Sequence, residues 1–267
     1  MLANRVAPMQ NDVRQTNNKI GAHVSRIRYT IPNSVTATSL LLGVGSIVTG
    51  QLGELELAGW MIVWCGLLDV MDGVAARMLK ATSDFGAEFD SMADLVAFGV
   101  APGMLALQVG IEYGGFALFS PAFWVLLAAV GVFVLCGAMR LARFNLITEE
   151  TPTGWFAGIP ITAAGGGLVA TACILLVKYP EIAESLPLHA YLPVALFVLA
   201  LGMISRIRFP KAKVRDSKIM NAFQGTQILA TYYCGITRSY PEFLFFMALI
   251  LLVAGIVAGR ITRLKQL

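Results

Sequence analysis

The sequence predicts an all-α, polytopic membrane protein, and three observations lead to this fold class. The 267 residues are 57% hydrophobic and only 13% charged, with a mean hydropathy of +0.72, which leaves too little polar surface for an ordinary water-soluble domain. Several apolar runs have the roughly 17 to 25 residues that a helix needs to cross about 30 Å of hydrocarbon. Lys and Arg are grouped into alternate connections between these runs, as in proteins that cross a membrane repeatedly.

Eight segments are candidate membrane-spanning helices. They lie at residues 33–51, 57–79, 86–109, 117–140, 156–177, 188–205, 219–236 and 242–259. The seventh is the least apolar because it contains several polar side chains, namely Asn221, Gln224, Thr226, Gln227 and Thr231. Hydropathy alone therefore does not decide between seven and eight spans.

The placement of charge favours eight spans. With the N-terminus in the cytoplasm, eight spans put 18 of the 20 Lys and Arg residues on the cytoplasmic side, and seven spans put only 16 there. The positive-inside rule therefore predicts a multi-pass protein of the cell (inner) membrane, with both termini cytoplasmic. This topology accounts for the net charge of +4, so no nucleic-acid partner is inferred from it.

Two segments are expected along the chain. Residues 1–30 contain basic residues but no apolar core, which favours a polar cytoplasmic arm over a cleavable signal peptide. Residues 31–267 form one integral membrane domain. The four cysteines lie inside apolar runs without CxxC spacing, which favours buried free thiols over disulfides or a zinc site.

Four aspartates, Asp69, Asp72, Asp90 and Asp94, are concentrated in the second and third spans. A helix turns about 100° per residue, so the two in the second span share one face with three neighbours. These neighbours are Gly73, Ala76 and Arg77. The two in the third span recur every four residues and share a stripe with Gly86. Two such stripes on neighbouring antiparallel helices can enclose one pocket.

Ionised aspartates inside a membrane require a compensating cation, because each costs about 2.5 to 3.5 kcal/mol at a helix centre. Arg77 alone cannot neutralise four carboxylates, whereas one or two hard divalent cations can. An all-carboxylate set without His or Cys suits Mg²⁺ or Mn²⁺, and two carboxylate-held metals serve phosphoryl chemistry. The same residues are also compatible with a structural ion-pair network or a cation pathway, and the small residues beside them with close helix packing.

The aspartates and their neighbours spell D-x2-D-G-x2-A-R-x8-G-x3-D-x3-D, from Asp69 to Asp94, without a gap. This pattern resembles the signature of the CDP-alcohol phosphotransferases. The resemblance implies an enzyme that displaces CMP from a CDP-linked lipid or alcohol with a hydroxyl acceptor. It also implies a core of six membrane helices, here with two further helices, and a homodimer.

Further stretches resemble one branch of this family, the CDP-diacylglycerol:serine O-phosphatidyltransferases. They are IPNSVT (31–36), FGVAPG (98–103), RLARFN (140–145), FAGIP (156–160) and RIRFPKAK (206–213). The resemblance implies synthesis of phosphatidylserine from CDP-diacylglycerol and L-serine, with two Mg²⁺ or Mn²⁺ ions at a cytoplasmic active site.

The resemblance also implies roles for individual residues. Four aspartates would bind the metals, and Asp94 would also act as general base. The CDP-diacylglycerol site would contain Asn33, Thr36, Gly73, Ala76, Arg77, Ser83 and Gly86.

The acceptor site is predicted from chemistry at the cytoplasmic end of the fourth span. A zwitterionic acceptor needs a cation for its carboxylate, and Arg140, Arg143 and Asn145 are grouped at this end. We therefore expect these three side chains to help hold serine or the lipid phosphate. The alternative is that they anchor the span according to the positive-inside rule.

Three other functions compete with phosphatidylserine synthesis. The first is the same chemistry with another acceptor, such as glycerol phosphate, an inositol phosphate or choline. The second is a divalent-cation transporter, in which the aspartates form a conduction path. The third is a membrane scaffold without activity, which the complete set of four aspartates makes the less favoured interpretation.

Overall fold

The computed structural model describes residues 30–79, 83–147, 155–210 and 218–264. Its helices are α1 (Thr30–Gln51), α2 (Leu55–Leu79), α3 (Asp84–Asp94), α4 (Ala101–Tyr113), α5 (Pro121–Ile147), α6 (Thr171–Lys178), α7 (Pro180–Ser185), α8 (Leu192–Ile204), α9 (Lys218–Thr237) and α10 (Pro241–Leu264). Two π-helical segments, Leu95–Val100 and Thr162–Ala170, join α3 to α4 and lead into α6. A 3₁₀ turn, Leu188–Tyr191, precedes α8, and two short strands are β1 (Trp155–Ala157) and β2 (Arg208–Pro210). The predicted polar arm lies outside the described residues except for Thr30.

Most of the chain is arranged as helices that can cross a membrane. Five are long and apolar enough to do so: Thr30–Gln51, Leu55–Ala75, Asp84–Tyr113, Pro121–Leu146 and Pro241–Arg260. Two shorter apolar helices are Thr162–Lys178 and Leu188–Ile204, and α9 follows the seventh predicted span over 20 residues. The predicted all-α, polytopic membrane bundle is therefore confirmed, and the crossing by all eight segments stays a prediction.

The fifth predicted span starts later than expected, because residues 155–157 form β1 instead of helix. Strand β1 pairs antiparallel with β2, with Phe156 opposite Phe209. Gly158 then turns the chain with a positive φ of 80°. A Cβ atom at this position would lie 2.0 Å from the Met203 carbonyl oxygen, so only glycine fits here. Pro160 follows and disfavours helix at the residue before it.

Helix α1 packs closely on its neighbours through a face of small and hydroxyl-bearing residues. The buried positions repeat every three or four residues: Pro32, Thr36, Ser39, Gly43, Ser46 and Gly50. The Ser46 hydroxyl donates to the Ala58 carbonyl of α2 at 2.8 Å, and the Cys65 thiol donates to the Ser39 carbonyl at 3.3 Å. Small residues allow such close approach between membrane helices. The N-terminal end of α1 is thereby brought to the predicted aspartate pocket.

The centre of the bundle is packed around the two π-helical segments. Phe98 of the first segment is fully buried and meets Gly165 of the second. A Cβ atom at Gly165 would lie 1.9 Å from the Phe98 carbonyl oxygen, so the two backbones touch directly. The surrounding core is apolar and includes Ile161 and Phe133, both fully buried. The four cysteines are buried free thiols, as predicted.

Candidate metal centre

Three carboxylates come together where α2 approaches α3. One oxygen each of Asp69, Asp72 and Asp90 lies within 4.8 Å of the other two. Asp72 is buried, with 7% of its surface exposed, and the other two are half-buried. Negative charges at this separation repel one another, and burial increases the cost. The oxygen-only donor set fits a hard divalent cation such as Mg²⁺ or Mn²⁺.

Asp94 lies one helical turn beyond Asp90, at the last position of α3. It interacts electrostatically with Asp69 and Asp90, and with Arg140 of α5. The compact group of three carboxylates is formed without it. The π-helical segment begins at the next residue, Leu95, and π-helical turns within α-helices are frequent at functional sites. Asp94 therefore interacts with both the carboxylate group and a cationic side chain.

Helix α1 supplies a hydrogen bond to the carboxylate group. The Thr36 hydroxyl donates to Asp72 Oδ2 at 2.9 Å, and its single proton is shared with the Pro32 carbonyl oxygen at 3.1 Å. Both Thr36 and Asp72 are buried. The hydrogen bond occupies Oδ2 and orients the carboxylate, which leaves Oδ1 for another partner.

The N-terminus of α3 brings together three of the predicted CDP-diacylglycerol residues. Ser83 caps the helix, and its Oγ accepts a hydrogen bond from the Gly86 backbone N–H at 3.0 Å. A Cβ atom at Gly86 would lie 3.4 Å from the Asn33 Oδ1, so α1 and α3 meet at this glycine. The first turn of a helix carries unpaired backbone N–H groups that favour anions. The arrangement leaves a small polar surface beside the aspartates.

The remaining predicted residues of this site lie on α2. Gly73 follows Asp72 directly and is half-buried. Ala76 and Arg77 belong to the same helix, but their side chains lie outside the described part of the structure. The predicted contacts of Ala76 and Arg77 with a nucleotide diphosphate therefore stay predictions.

The three predicted acceptor residues differ in their surroundings. Arg140 is buried, with 8% of its surface exposed, and no described residue accepts a hydrogen bond from its Nε. Arg143 donates to the carbonyl oxygens of Ile204, Ala157 and Ser205 at 3.0, 2.9 and 3.3 Å. Arg143 thus ties the ends of α8 and β1 to α5, whereas Arg140 keeps a buried donor available beside Asp94.

Asn145 bridges α5 to α3. Its Nδ2 donates to Glu88 Oε1 at 3.2 Å and to Ser91 Oγ at 3.1 Å, and Ser91 Oγ lies 3.3 Å from Asn145 Oδ1. Neither Glu88 nor Ser91 is among the residues predicted from the sequence. Glu88 precedes Asp90 by two positions, so the period that marks the aspartates does not mark it.

Helix α9 contributes a further residue that the sequence did not indicate. The Tyr232 hydroxyl donates to the Leu67 carbonyl oxygen at 2.7 Å, two residues before Asp69. Trp64 fixes the same helix through a bond from its Nε1 to the Gly235 carbonyl at 2.7 Å. The polar side chains that made the seventh span doubtful were the available signal that α9 lies beside a polar site.

Together, the fold and this centre define a class of polytopic membrane protein that holds an oxygen-rich, acidic site at one end of a helix bundle. A sequence model of the CDP-alcohol phosphatidyltransferase family matches residues 29–262, and the chain belongs to this family. The predicted family is therefore confirmed. The family depends in general on divalent metal ions, and the group of three carboxylates agrees with this dependence.

Similar proteins from three organisms share a name. A Helicobacter pylori protein is 38% identical over 188 residues, which cover 69% of this chain and 73% of that protein. A Bacillus subtilis protein is 35% identical over 68% of this chain and 91% of its own length. A Methanocaldococcus jannaschii protein is 32% identical over 79% of this chain and 89% of its own length. Each is named a CDP-diacylglycerol--serine O-phosphatidyltransferase.

Proposed function

We propose that this protein synthesises phosphatidylserine by transferring the phosphatidyl group of CDP-diacylglycerol to the hydroxyl of L-serine, with release of CMP. The observation that carries the proposal is the group of three carboxylates, Asp69, Asp72 and Asp90, with Asp94 one helical turn beyond Asp90. The shared name of the similar proteins supports serine as the acceptor.

Asp69, Asp72 and Asp90 hold the divalent metal, Mg²⁺ or Mn²⁺, and Asp94 completes a site for two ions. When bound, such ions neutralise phosphate charge and stabilise the attacking and leaving oxygens of a phosphoryl transfer. Thr36 orients Asp72 within this set through its hydrogen bond to Oδ2. Asp72 is therefore oriented by the protein before substrate enters.

The nucleotide end of CDP-diacylglycerol lies against the start of α3. Asn33, Ser83 and Gly86 meet there, and the backbone N–H groups of the first turn can donate to phosphate oxygens. Gly73, Ala76 and Arg77 extend this surface along α2, where an arginine can pair with a phosphate through two parallel hydrogen bonds. The acyl chains remain in the membrane beside the bundle.

Asp94 removes the proton from the serine hydroxyl while the serine oxygen attacks the phosphorus of the phosphatidyl group. The new bond joins serine oxygen to that phosphorus, and the bond from the phosphorus to the CMP oxygen breaks. A general base must lie within hydrogen-bond reach of the proton that it takes. Asp94 fulfils this role when serine is held by its carboxylate at Arg140, the buried cation beside it.

The other two acceptor residues position this site. Arg143 is engaged with three carbonyl oxygens, so it holds α5 in place for Arg140. Asn145 acts through its hydrogen bonds to α3. We further propose that the site faces the cytoplasm from the cell membrane, as the positive-inside rule indicates, and that two copies of the chain form a homodimer.

The test measures CMP release by the purified protein from CDP-diacylglycerol with Mg²⁺ or Mn²⁺, with and without L-serine. We expect release that depends on serine and metal, phosphatidylserine as the product, and a loss of about 100- to 10,000-fold in Asp94→Asn, the range of general-base catalysis. CMP release only with glycerol phosphate, an inositol phosphate or choline would show that this compound, and not L-serine, is the acceptor. Divalent-cation flux without CMP release would favour a transporter, and neither activity would favour a scaffold.

A further inference from the structure

L-Serine carries three groups that a site must satisfy, and the residues described so far account for two of them. This inference rests on the proposed function, in which Asp94 takes the hydroxyl and Arg140 the carboxylate. The ammonium group still requires acceptor oxygens, preferably charged ones. Asp69, Asp72 and Asp90 are committed to the metal, so another carboxylate is needed.

Glu88 is placed to be that carboxylate. Apart from the four aspartates, the acidic residues that the structure describes at this end of the bundle are Asp84 and Glu88. Asp84 begins α3, and no described hydrogen bond joins it to another helix. Glu88 is held by Asn145 of α5, which also binds Ser91. The bond from Asn145 restrains an exposed side chain that otherwise has large rotamer freedom.

The bond from Asn145 orients Glu88 without neutralising it. An amide carries no net charge, so the carboxylate keeps its full attraction for a cation. The ion pairs formed within the described ranges do not include Glu88. A carboxylate that is oriented but not paired is suited to a cation that arrives with a ligand.

Glu88 and Asp94 lie on different faces of α3. They are six residues apart, which is about 9 Å along the helix axis and about 120° around it. An acceptor that contacts both side chains would therefore lie in the gap between α3 and the facing helix α5.

A second observation on the facing helix marks the same gap as a ligand site. Arg140 and Asn145 lie on α5, antiparallel to α3, so that Arg140 is beside Asp94 and Asn145 is beside Glu88. Arg140 is more than nine-tenths buried, and none of the described residues accepts a hydrogen bond from its Nε. A buried donor without a partner is costly unless a ligand satisfies it.

We infer that Glu88, oriented by Asn145, binds the ammonium group of the acceptor and makes the site selective for amino alcohols. Glu88 would therefore determine acceptor specificity, and Asn145 would be a positioning residue that acts through it.

The experiment compares L-serine with 3-hydroxypropanoate, which has the same hydroxyl and carboxylate but no amine. Purified full-length protein is assayed for serine-dependent CMP release, and 3-hydroxypropanoate is used as a competitive inhibitor. We expect Glu88→Gln to raise the KM for L-serine about 10- to 100-fold, as loss of a charged hydrogen bond predicts, and to leave the inhibition constant of 3-hydroxypropanoate unchanged. Asn145→Ala should raise the KM less, and the matched control Asp84→Asn should change neither constant.

Three results would overturn the inference. An equal effect of Glu88→Gln on both constants, or an effect on neither, would remove Glu88 from the ammonium site. Equal affinity of the unmodified protein for the two compounds would exclude an ammonium site without use of any variant, so the test holds even if a variant fails to fold. Absence of serine-dependent CMP release from the unmodified protein would instead reject the proposed function, and this inference with it.

Discussion

The aspartate end of the bundle and its packed centre are built on opposite principles. In the centre, apolar side chains are fully buried and the backbones of two π-helical segments touch at Phe98 and Gly165. At the aspartate end, three carboxylates are held within 4.8 Å, where they repel one another. The centre therefore gains free energy from close van der Waals packing, whereas the aspartate end costs free energy until a cation is bound.

This difference shows how the two regions depend on each other. The carboxylates project from α2 and α3, and α2 is fixed by contacts away from the aspartates, such as the hydrogen bond from Ser46 of α1 to Ala58. Sites that bind charged ligands are commonly less stable than the scaffold that carries them. Substitutions in the two regions should therefore separate activity from stability.

The largest effect on activity is expected for Asp90→Asn, which keeps the shape of the side chain and removes its charge. CMP release should fall by at least about 100-fold, the scale for loss of one directly positioned electrostatic group. The unfolding temperature of the metal-free protein should stay equal or rise, because repulsion from Asp69 and Asp72 is relieved. Thermal unfolding in detergent with a chelator measures this second effect.

The control for Asp90→Asn is Asp84→Asn, an exposed acid at the start of the same helix. It should leave both activity and unfolding temperature unchanged. A marked drop in the unfolding temperature of metal-free Asp90→Asn would contradict the proposed contrast between the two regions.

A smaller effect is expected for Thr36→Val, which removes the hydrogen bond to Asp72 Oδ2 and preserves the size of the side chain. Loss of such an outer contact typically weakens metal binding about 10- to 100-fold. Titration of Mn²⁺ followed by electron paramagnetic resonance measures the affinity without substrate. Thr36→Ser keeps the hydroxyl and should bind Mn²⁺ like the unmodified protein, and equal affinity in Thr36→Val would show that this bond does not orient the ligand.

The smallest effect on activity is expected in the packed centre. Gly165→Ala places a methyl group against the Phe98 backbone and should destabilise the protein by about 1 to 3 kcal/mol or more, as overpacking does. Activity per folded molecule should fall less than in Asp90→Asn, because neither Phe98 nor Gly165 contributes a side chain to the carboxylate group. Gly131→Ala is the matched control, since a Cβ there meets nothing within 4 Å. Equal unfolding temperatures for the two variants would show that the contact can relax.

Sequence alone predicted the parts of the fold that depend on composition and period. The membrane helices follow from long apolar runs, and the spacing of Asp69 and Asp72 against Asp90 and Asp94 placed the carboxylates on facing stripes. Three of them form the compact group. Asp94 lies outside that group because of how α2 and α3 are positioned relative to each other. A helical wheel describes one helix and cannot predict this relative position.

The remainder depends on contacts between distant parts of the chain. Neither π-helical segment leaves a periodic signal, since both lie in uninterrupted apolar sequence. Arg140 and Arg143 look equivalent in the sequence, yet among the described residues carbonyl oxygens from two other elements accept hydrogen bonds from Arg143 and not from Arg140. Such partners become visible only when the chain is folded.

The hydrogen bonds between α9 and α2 can form only late in synthesis, because the two helices are far apart in the chain. Tyr232 and Trp64 join residues 165 and 171 positions apart. At about 5 to 20 residues per second, the ribosome needs roughly 8 to 35 seconds to add this length of chain. During that time α2 and its aspartates are already in the membrane without their neighbour. The contact of α9 with α2 near Asp69 therefore forms only near the end of synthesis, so a nascent chain carries its aspartates well before this part of the bundle is complete.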